Sequence, residues 1–499
     1  MESTALPKFR AAVRAATVGT PRRGQHGNGA PNEHTSLLGG THGFGGSHHS
    51  PTFDFFFNSK HTPGADSPKP WVKYPAHVWH ITKATLLSSP LNILLIAVPI
   101  GIIAGQAHWD PIAVFTINFF AIVPLAAVLS FATEEISANL GEALGGLLNA
   151  TFGNAVELIV SIIALRDHQI EVVKSSMIGS ILSNLLLVMG MCFFFGNIVN
   201  MRNENGLGRE QKFACITAQT TASLMTLSAA SIILPGALFM IVNGHLSAED
   251  RRRTTLALSR GTAIILLLIY VLYLWFQLRT HANLFNSTPN DTTAAPAQAE
   301  NGAGETGQPE SHADDEGDDK EESEGAMSPW SAAGVLIVAT VLVSVCADYL
   351  VESIDSLVER GGISRSFIGL ILIPIVGNAA EHVTAVMVAV KDKMDLAMGV
   401  AIGSSIQIAI FVTPFLVLLG WIMDRDMDLH FETFETVAFG LAVLVVIYTV
   451  QDGASNYLEG AMLMSLYLMI AIAFFVTPSQ YFDGDKGIGS SIVHALGFS

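Results

Sequence analysis

Two glutamates in strongly apolar stretches, Glu157 and Glu381, are the side chains of this sequence best placed to do chemistry. An ionisable group inside a membrane-spanning segment is costly unless it is paired or hydrated, and it is therefore functional by default. Asn154 and Asn378 stand three residues before the two acids, so on a helix each amide shares a face with its glutamate. The structural alternative is that the two glutamates only hydrogen-bond helices to one another.

The two glutamates belong to an internal repeat with an offset of 224 residues. Residues 153–190 align with 377–414 without a gap, and the two copies are identical at eight of 38 positions. Each copy begins Gly-Asn-Ala-x-Glu, and each places a Gly-Ser pair, ending at Ser180 or Ser404, 26 residues after its opening glycine. Two motifs at one fixed spacing are not expected by chance, so we infer a true duplication.

The duplicated side chains offer oxygen ligands. The candidate ion-binding residues are Gly153, Asn154, Glu157, Ser180, Gly377, Asn378, Glu381, Ser404 and Gln407. Oxygen ligation suits hard cations, Ca²⁺ better than Mg²⁺ in a flexible site, and Mn²⁺ is accepted too. Two carboxylates in one site of low dielectric either hold protons or are neutralised by a divalent cation. The pattern therefore predicts competition between protons and a divalent cation, with Glu157 and Glu381 as the metal ligands.

The glycines and a proline affect how the backbone carries these ligands. Gly153 and Gly377 permit a close helix approach or local unwinding, because they lack a Cβ atom. Pro374 removes a backbone donor just before the second motif, which favours a helix break there. Unwound backbone facing a cavity supplies further carbonyl oxygens.

Five more side chains are accessory candidates: Glu134, Ser183, Asn184, Asp348 and His382. Ser183 and Asn184 lie about one turn beyond Ser180 and extend the set of oxygen donors, with helix packing as the alternative. The two acids either line the approach to the site or are interfacial residues in water. His382 supplies the one nitrogen donor, one helical step from the face of Glu381, as a proton-sensitive neighbour.

The composition predicts that a lipid bilayer surrounds these residues. Half of the 499 residues are apolar, 14% are charged, and the mean hydropathy is +0.45, whereas a soluble domain has roughly 25% charged residues. The formal charge of −17 argues against a nucleic-acid partner. Three cysteines, each in an apolar stretch, make no disulfide framework. We therefore expect an all-α polytopic membrane protein.

Apolar runs predict about eleven transmembrane helices, six before a polar stretch and five after it. The predicted regions are a disordered tail at 1–89, a first helix with repeat 1 at 90–279, a polar linker at 280–329, repeat 2 at 330–480 and a tail at 481–499. The linker contains nine acids and one lysine within 309–324. Lys and Arg are balanced between the two sides, so the positive-inside rule does not orient the chain.

The repeats are predicted to be inverted. The first Gly-Asn motif lies in the third predicted span and the second in the eighth, five spans later. An odd separation makes the two copies cross the membrane in opposite directions. Inverted repeats are typical of secondary transporters, whose substrate sites lie near the midplane where the repeats meet.

The motif strings resemble the two signatures of the calcium/proton exchanger family. Residues 149–159 resemble the first signature, and Gly377-Asn378-Ala379-Ala380-Glu381-His382 with 403–407 resembles the second. The resemblance covers roughly residues 85–480 and is strongest for fungal vacuolar members. It implies one N-terminal helix, two inverted five-helix repeats and an acidic cytosolic helix between them.

The same resemblance implies a function. It predicts an antiporter in the vacuolar membrane that exchanges Ca²⁺ for H⁺ and binds both at Glu157 and Glu381, with a cytosolic N-terminus and no cofactor. Sodium/calcium exchangers share the architecture, but their motifs are richer in Ser and Thr, where this chain has Asn and Ala. That difference favours protons as the counter-ion.

Other readings remain open at this point. Exchange of Mn²⁺ or another divalent cation for protons is the first alternative, and sodium-driven exchange is the second. A Ca²⁺ channel also uses intramembrane acids, but it usually builds a symmetric pore from several subunits. An enzyme is not expected, because neither the His-Glu-x-x-His string of metalloproteases nor a phosphate-binding Gly-rich lysine motif occurs.

Overall fold

The computed structural model describes most of the chain between residues 62 and 476. The described residues are 62, 67–140, 142–201, 208–213, 215–242, 247–281 and 327–476. The acidic run at 309–324, the C-terminal tail and most of the N-terminal tail therefore lie outside the described residues. The described part is helical, apart from one pair of two-residue strands.

The elements before the linker form the first half of the molecule. In chain order they are α1 Pro70–Leu87, a 3₁₀ segment Pro90–Ile96, α2 Ala97–Gln106, α3 Pro111–Leu140, α4 Glu142–Phe152, α5 Ala155–Arg166, α6 Ile170–Leu182, a π-helical turn Ser183–Val188, α7 Met189–Asn200, β1 Gln211–Lys212, α8 Cys215–Val242, α9 Ala248–Trp275 and a π-helical turn Phe276–Thr280.

The elements after the linker form the second half. They are α10 Pro329–Glu352, α11 Ile354–Gly361, α12 Arg365–Phe367, a π-helical turn Ile368–Leu372, α13 Ile373–Val390, α14 Met394–Gln407, a π-helical turn Ile408–Val412, α15 Thr413–Ile422, α16 Thr433–Val450, β2 Ala454–Ser455 and α17 Tyr457–Val476. The π-helical turns that follow α6 and α14 begin at Ser183 and Ile408. These positions differ by one residue once the repeat offset of 224 is subtracted, as a duplicated helix pair predicts.

Nine helices of the described part are long and apolar enough to cross a membrane. The pair Pro70–Leu87 and Pro90–Gln106, bent by 112°, brings the number to as many as ten. The 11-residue α4 and the 12-residue α5 are each too short to span, but they follow one another across a break of two residues. The all-α polytopic fold is confirmed, and the number of eleven spans stays a prediction.

The core lies around α6 and α7. In the segment Ile170–Asn200, 78% of the most apolar window is buried inside the protein, whereas for Ala248–Thr280 the share is 22%. A helix that is apolar on all sides and buried on all sides is a central helix, and one that is apolar but uncovered faces lipid. The helix pair with the Gly-Ser motif of repeat 1 is therefore central, and α9 is peripheral.

The prediction of a disordered tail through residue 89 is wrong for residues 70–87, which form α1. Pro70 occupies the first turn, where its missing N–H is not needed. Ala84 is buried in a small apolar cluster with Met327 and Ala332 at the start of α10. Lysines, histidines and a proline interrupt the apolar residues of this segment, so a search for long apolar runs does not detect it.

The bundle has two distinct ends. We call one the linker end, where α9 ends and α10 begins on either side of the linker, and the other the far end, where α5 ends and α6 begins. At the linker end Gln211 of β1 pairs with Ser455 of β2. At the far end Arg166 of repeat 1 forms an ion pair of 2.5 Å with Asp348 of repeat 2.

Candidate ion-binding site

Glu157 lies just after a helix break in the first copy of the motif. The helix α4 ends at Phe152 and α5 begins at Ala155, so Gly153 and Asn154 separate the two. Glu157 falls in the first turn of α5 and is only 4% exposed. Its carboxylate therefore lies at a helix N-terminus, where free N–H groups and the helix dipole favour negative charge.

The second copy is not broken in the same way. The helix α13 runs without interruption through Gly377 and Asn378, so the prediction of unwinding is wrong for this copy. Pro374 lies in the first two positions of α13, directly after the π-helical turn Ile368–Leu372. A wider turn accommodates the missing backbone N–H without opening the helix. Glu381 therefore projects from a continuous helix, half-buried.

Gly377 makes room for the glutamate of the other repeat, and Gly153 lies near the second glutamate. A Cβ atom on Gly377 would lie 2.8 Å from Oε1 of Glu157, and one on Gly153 would lie 4.0 Å from Oε1 of Glu381. The two carboxylates are also close enough to act on each other electrostatically. Gly377 thus serves close approach, and the structure brings both glutamates of the sequence prediction to one place.

The two asparagines are bonded across the repeats in a matching pattern. Asn154 donates from Nδ2 to Oε1 of Gln407 at 2.7 Å, and Asn378 donates from Nδ2 to Oγ of Ser183 at 3.2 Å. Ser183 and Gln407 occupy the same repeat position, since they differ by 224 residues. The two bonds are therefore equivalent under exchange of the repeats, and each fixes an amide beside its glutamate.

The two serines of the Gly-Ser pairs differ in their partners. Ser404 donates from Oγ to Oδ1 of Asn154 at 3.2 Å and accepts from Nδ2 of Asn184 at 3.0 Å. Ser180 is buried, and its Oγ has no hydrogen-bond partner. The serine of repeat 2 therefore bonds to two asparagines of repeat 1, whereas the hydroxyl of the serine of repeat 1 has no such bond.

Five buried oxygens of these segments have no hydrogen-bond partner among the described residues: Glu157 Oε2, Ser180 Oγ, Asn184 Oδ1, Asn378 Oδ1 and Glu381 Oε2. An unsatisfied buried polar group costs about 1–3 kcal/mol, and native proteins contain few of them. In the part of the chain that the structure describes, no three His, Cys, Asp or Glu side chains gather as a metal site. A cation held here would therefore need amide and hydroxyl oxygens beside the two carboxylates, and this set provides them.

The accessory candidates divide into two groups. Ser183 and Asn184 join the hydrogen bonds of the site, and His382 is buried beside Glu381 with its Nε2 unpartnered. Asp348 instead pairs with Arg166, which lies nine residues beyond Glu157, or about 13 Å along the helix axis. Glu134 is exposed and accepts from Ser130 at 3.3 Å. The structure does not bring these two acids to the glutamate pair.

Sequence reasoning missed one buried acid. Glu435, in the first turn of α16, is 1% exposed and accepts a hydrogen bond of 2.5 Å from Oγ of Ser175. The rule that selected Glu157 also applies to Glu435, because both lie in apolar spans. Glu435 was passed over because it stands outside the duplicated segment.

The two ends of the bundle differ in how the repeats touch. At the far end a Cβ atom on Gly369 would lie 2.8 Å from Cβ of Ser175, and Gly179 abuts the carbonyl oxygen of Leu370. At the linker end the equivalents of Ser175 and Gly179 are Gly399 and Gly403, where an added Cβ would have no atom of the described residues within 4 Å. At the far end α6 is therefore closed against the Ile368–Leu372 turn, whereas at the linker end the matching face of α14 around Gly399 and Gly403 is uncovered.

We expect Gln407→Ala to destabilise the protein by about 1–3 kcal/mol, because it leaves Nδ2 of Asn154 buried without an acceptor. Thermal unfolding in detergent measures this change. Gln407→Glu keeps an acceptor and should lose less, and Gln106→Ala, at the exposed end of α2, is the matched control. Equal unfolding temperatures for Gln407→Ala and the control would show that the cross-repeat bond contributes nothing.

Comparison with known proteins gives a consistent result. The sodium/calcium exchanger protein family matches residues 110–279 and 331–476. A vacuolar calcium ion transporter of Schizosaccharomyces pombe is 44% identical over 80% of this chain and 87% of its own length. A Ca²⁺/H⁺ antiporter of Aphanothece halophytica is 42% identical over 77% of this chain and 96% of its own.

A solved structure agrees in fold. The crystal structure of the selenium-substituted Ca²⁺/H⁺ antiporter protein YfkE superposes with a TM-score of 0.60 at 33% identity, and it covers 78% of this chain and 99% of that one. The family match extends over both halves of the chain and includes both signature glutamates. The chain therefore belongs to the sodium/calcium exchanger protein family, among its calcium/proton exchangers.

Proposed function

We propose that this protein exchanges Ca²⁺ for protons across the vacuolar membrane, and that Glu157 and Glu381 bind the two ions alternately. The observation that carries the proposal is the meeting of the two glutamates, in which Glu157 lies against the signature glycine of the other repeat and Glu381 lies near that of the first. The names of the relatives, which refer to calcium, protons and the vacuole, support the same function.

The chemistry follows from two carboxylates in one buried place. Two bare charges there repel each other, and either Ca²⁺ or two protons remove the repulsion. Ca²⁺ binding therefore expels protons, and protonation from the other side of the membrane expels Ca²⁺. Each proton that moves down one pH unit supplies about 1.4 kcal/mol, so two or more protons can drive Ca²⁺ against its gradient.

The amides and hydroxyls complete the ligand set in this proposal. Oδ1 of Asn378 and Oγ of Ser180 are buried and unpartnered, and they supply neutral oxygens beside the carboxylates. The bonds from Asn154 to Gln407 and from Asn378 to Ser183 hold the amides in place. Such a flexible oxygen set suits Ca²⁺, which accepts six to eight oxygens, better than Mg²⁺.

Access to the site alternates between the two ends of the bundle. In the described conformation α6 contacts the Ile368–Leu372 turn at the far end, whereas the equivalent face of α14 is uncovered at the linker end. With the linker in the cytosol, ions reach the glutamates from the cytosol, and the lumen is sealed off. The protein needs no resident cofactor and performs no enzymatic reaction, since Ca²⁺ is its substrate.

Mn²⁺ is the second candidate substrate. It accepts the same carboxylate and carbonyl oxygens as Ca²⁺, and the unpartnered Nε2 of the buried His382 offers a nitrogen close to Glu381. Competition of Mn²⁺ with Ca²⁺ uptake at equal concentrations distinguishes the two substrates. We expect Ca²⁺ to be preferred, because neutral and charged oxygens outnumber this one nitrogen.

Transport by purified protein in liposomes tests the proposal. Liposomes with an acidic interior should accumulate Ca²⁺ after its external addition, and a protonophore should abolish the uptake. Uptake that persists without a pH gradient would indicate a channel. Uptake that only a sodium gradient drives would keep the architecture but replace the proton as the counter-ion.

A further inference from the structure

A third buried carboxyl lies at the far end of the bundle, apart from the glutamate pair. Glu435 is 1% exposed in the first turn of α16, and its Oε1 accepts a hydrogen bond of 2.5 Å from Oγ of Ser175 on α6. It also accepts from the backbone N–H of Glu432. A fully buried carboxyl in a membrane protein that has two neutral donors and no paired cation is a candidate for binding a proton.

The nearby charges do not neutralise Glu435. Lys174, the neighbour of Ser175 on α6, is held by Oδ1 of Asp428 at 2.5 Å and by the carbonyl oxygen of His430 at 2.9 Å. Burial lowers the pKa of His430, which disfavours a positive charge on this ring. Glu171 on α6 and Glu432 before α16 add negative charge.

The other helices packed against α16 contribute no charge at this end. The helix α8 contains no ionisable side chain within Gln219–Ile241, and α17 presents Phe474 against Phe434 of α16. The nearby Lys174 is already bonded to Asp428, while Glu171 and Glu432 carry negative charge. This excess of negative charge favours a proton on Glu435, the most deeply buried of these acids.

Ser175 links Glu435 to the contact that closes the far end. Its Cβ is the atom against which Gly369 of repeat 2 packs. Ser175 also lies on the same helix as Ser180, five residues earlier. The hydrogen bond from Ser175 to Glu435 therefore holds α6 in the position that closes the two repeats at this end.

We propose that Glu435 is a further proton-binding group of the transporter, loaded from the far end, and that its hydrogen bond to Ser175 couples this proton to opening of the Ser175–Gly369 contact. The inference rests on the proposed proton exchange. When ionised, Glu435 accepts strong charge-assisted hydrogen bonds from Ser175 and from the backbone of Glu432. A proton on the carboxyl weakens both bonds, releases α6 and favours the conformation open at the far end.

A purely structural role for Glu435 makes a different prediction. Glu435 stands three residues after Glu432, the N-cap residue of α16, where a side chain that bonds back to the N-cap stabilises the first turn. Glutamine performs this capping as well as glutamate does. Glu435→Gln therefore keeps the cap and removes only the titrating group.

Sealed vacuolar vesicles, in which all copies of the full-length protein face the same way, provide the test. The rate of Ca²⁺ uptake is measured against interior pH at a fixed exterior pH. We expect Glu435→Gln to flatten this profile by about one proton, with the half-saturating exterior Ca²⁺ concentration unchanged. Ser175→Ala should instead move the profile to higher interior pH without flattening it, because the carboxylate loses a donor but still titrates.

Glu459→Gln, in the first turn of α17 at the linker end, is the matched control and should reproduce the wild-type profile. Infrared difference spectra should lose a protonated-carboxyl band in Glu435→Gln and retain it in Ser175→Ala.

If the profiles of both variants overlay that of the wild type, the inference is wrong while the exchange function stands. If wild-type vesicles show no uptake driven by the pH gradient, the proposed function itself fails. If the Glu435→Gln protein does not accumulate in the membrane, Ser175→Ala provides the test by itself. A shift of its uptake profile to higher interior pH supports the inference, and an unshifted profile contradicts it.

Discussion

Glutamine in place of Glu157 or of Glu381 is expected to lower proton-driven Ca²⁺ uptake by at least about 100-fold. Removing one partner from a buried charged interaction costs about 3–5 kcal/mol, and each 1.4 kcal/mol corresponds to about tenfold. Both substitutions preserve side-chain size, so the loss should reflect charge. Uptake into acid-loaded liposomes measures the effect, and Glu359→Gln at an exposed position of α11 is the control.

A second measurement separates lost binding from lost folding. Ca²⁺ at about 100 times its dissociation constant should stabilise the wild type by about 2.7 kcal/mol against unfolding. The two variants should show no such increase, while their stability without Ca²⁺ stays equal to the wild type or rises, because the repulsion between the carboxylates is gone. Near wild-type uptake by either variant would exclude that glutamate from the ion-binding pair.

Gly377→Ala is expected to reduce Ca²⁺ uptake by at least about tenfold while leaving the folded state as stable as before. The added Cβ would lie 2.8 Å from Oε1 and 3.1 Å from Cδ of Glu157, so the carboxylate must move. Small displacements of a reacting or binding group have large effects on rate. Alanine inside a helix is itself favourable by about 0.5–1 kcal/mol relative to glycine, which offsets the local strain.

Two other glycines in spans control for the helix effect. An added Cβ on Gly261 of α9 or Gly334 of α10 would have no atom of the described residues within 4 Å, so their alanine variants should transport normally. Uptake and thermal unfolding are measured together for all three variants. A Gly377→Ala protein that transports as fast as the two controls would show that contact between Glu157 and this glycine is not needed.

Part of the candidate site could be predicted because it follows from local rules. A carboxylate in an apolar span is conspicuous by its type alone, and a second copy at a fixed offset identifies Glu157 and Glu381 as a pair. The role of Gly377 was also predictable, since close approach needs a residue without Cβ. The oxygens of Ser183 and Gln407 were found because they lie one turn beyond the Gly-Ser pairs.

The remainder depends on contacts between segments that are far apart in sequence. The bond between Asn154 and Gln407 joins residues 253 positions apart, and no local pattern specifies it. The proline before the second motif was expected to break the helix, but a π-helical turn accommodated it, and that choice is made by packing against α6. Glu435 was missed because its significance comes from its contact with Ser175 and not from a repeated motif.

The unequal packing of the repeats has one more consequence. The two copies have equivalent sequences but opposite directions, and they are observed in two different arrangements, one with α6 against the Ile368–Leu372 turn and one with α14 apart from α4. Exchange of these arrangements between the copies yields a second conformation with the linker end shut and the far end open. A single structure therefore contains the templates for both ends of the transport cycle, and the distance between Gly145 and Gly399 should shorten in the other state to match that between Gly369 and Ser175.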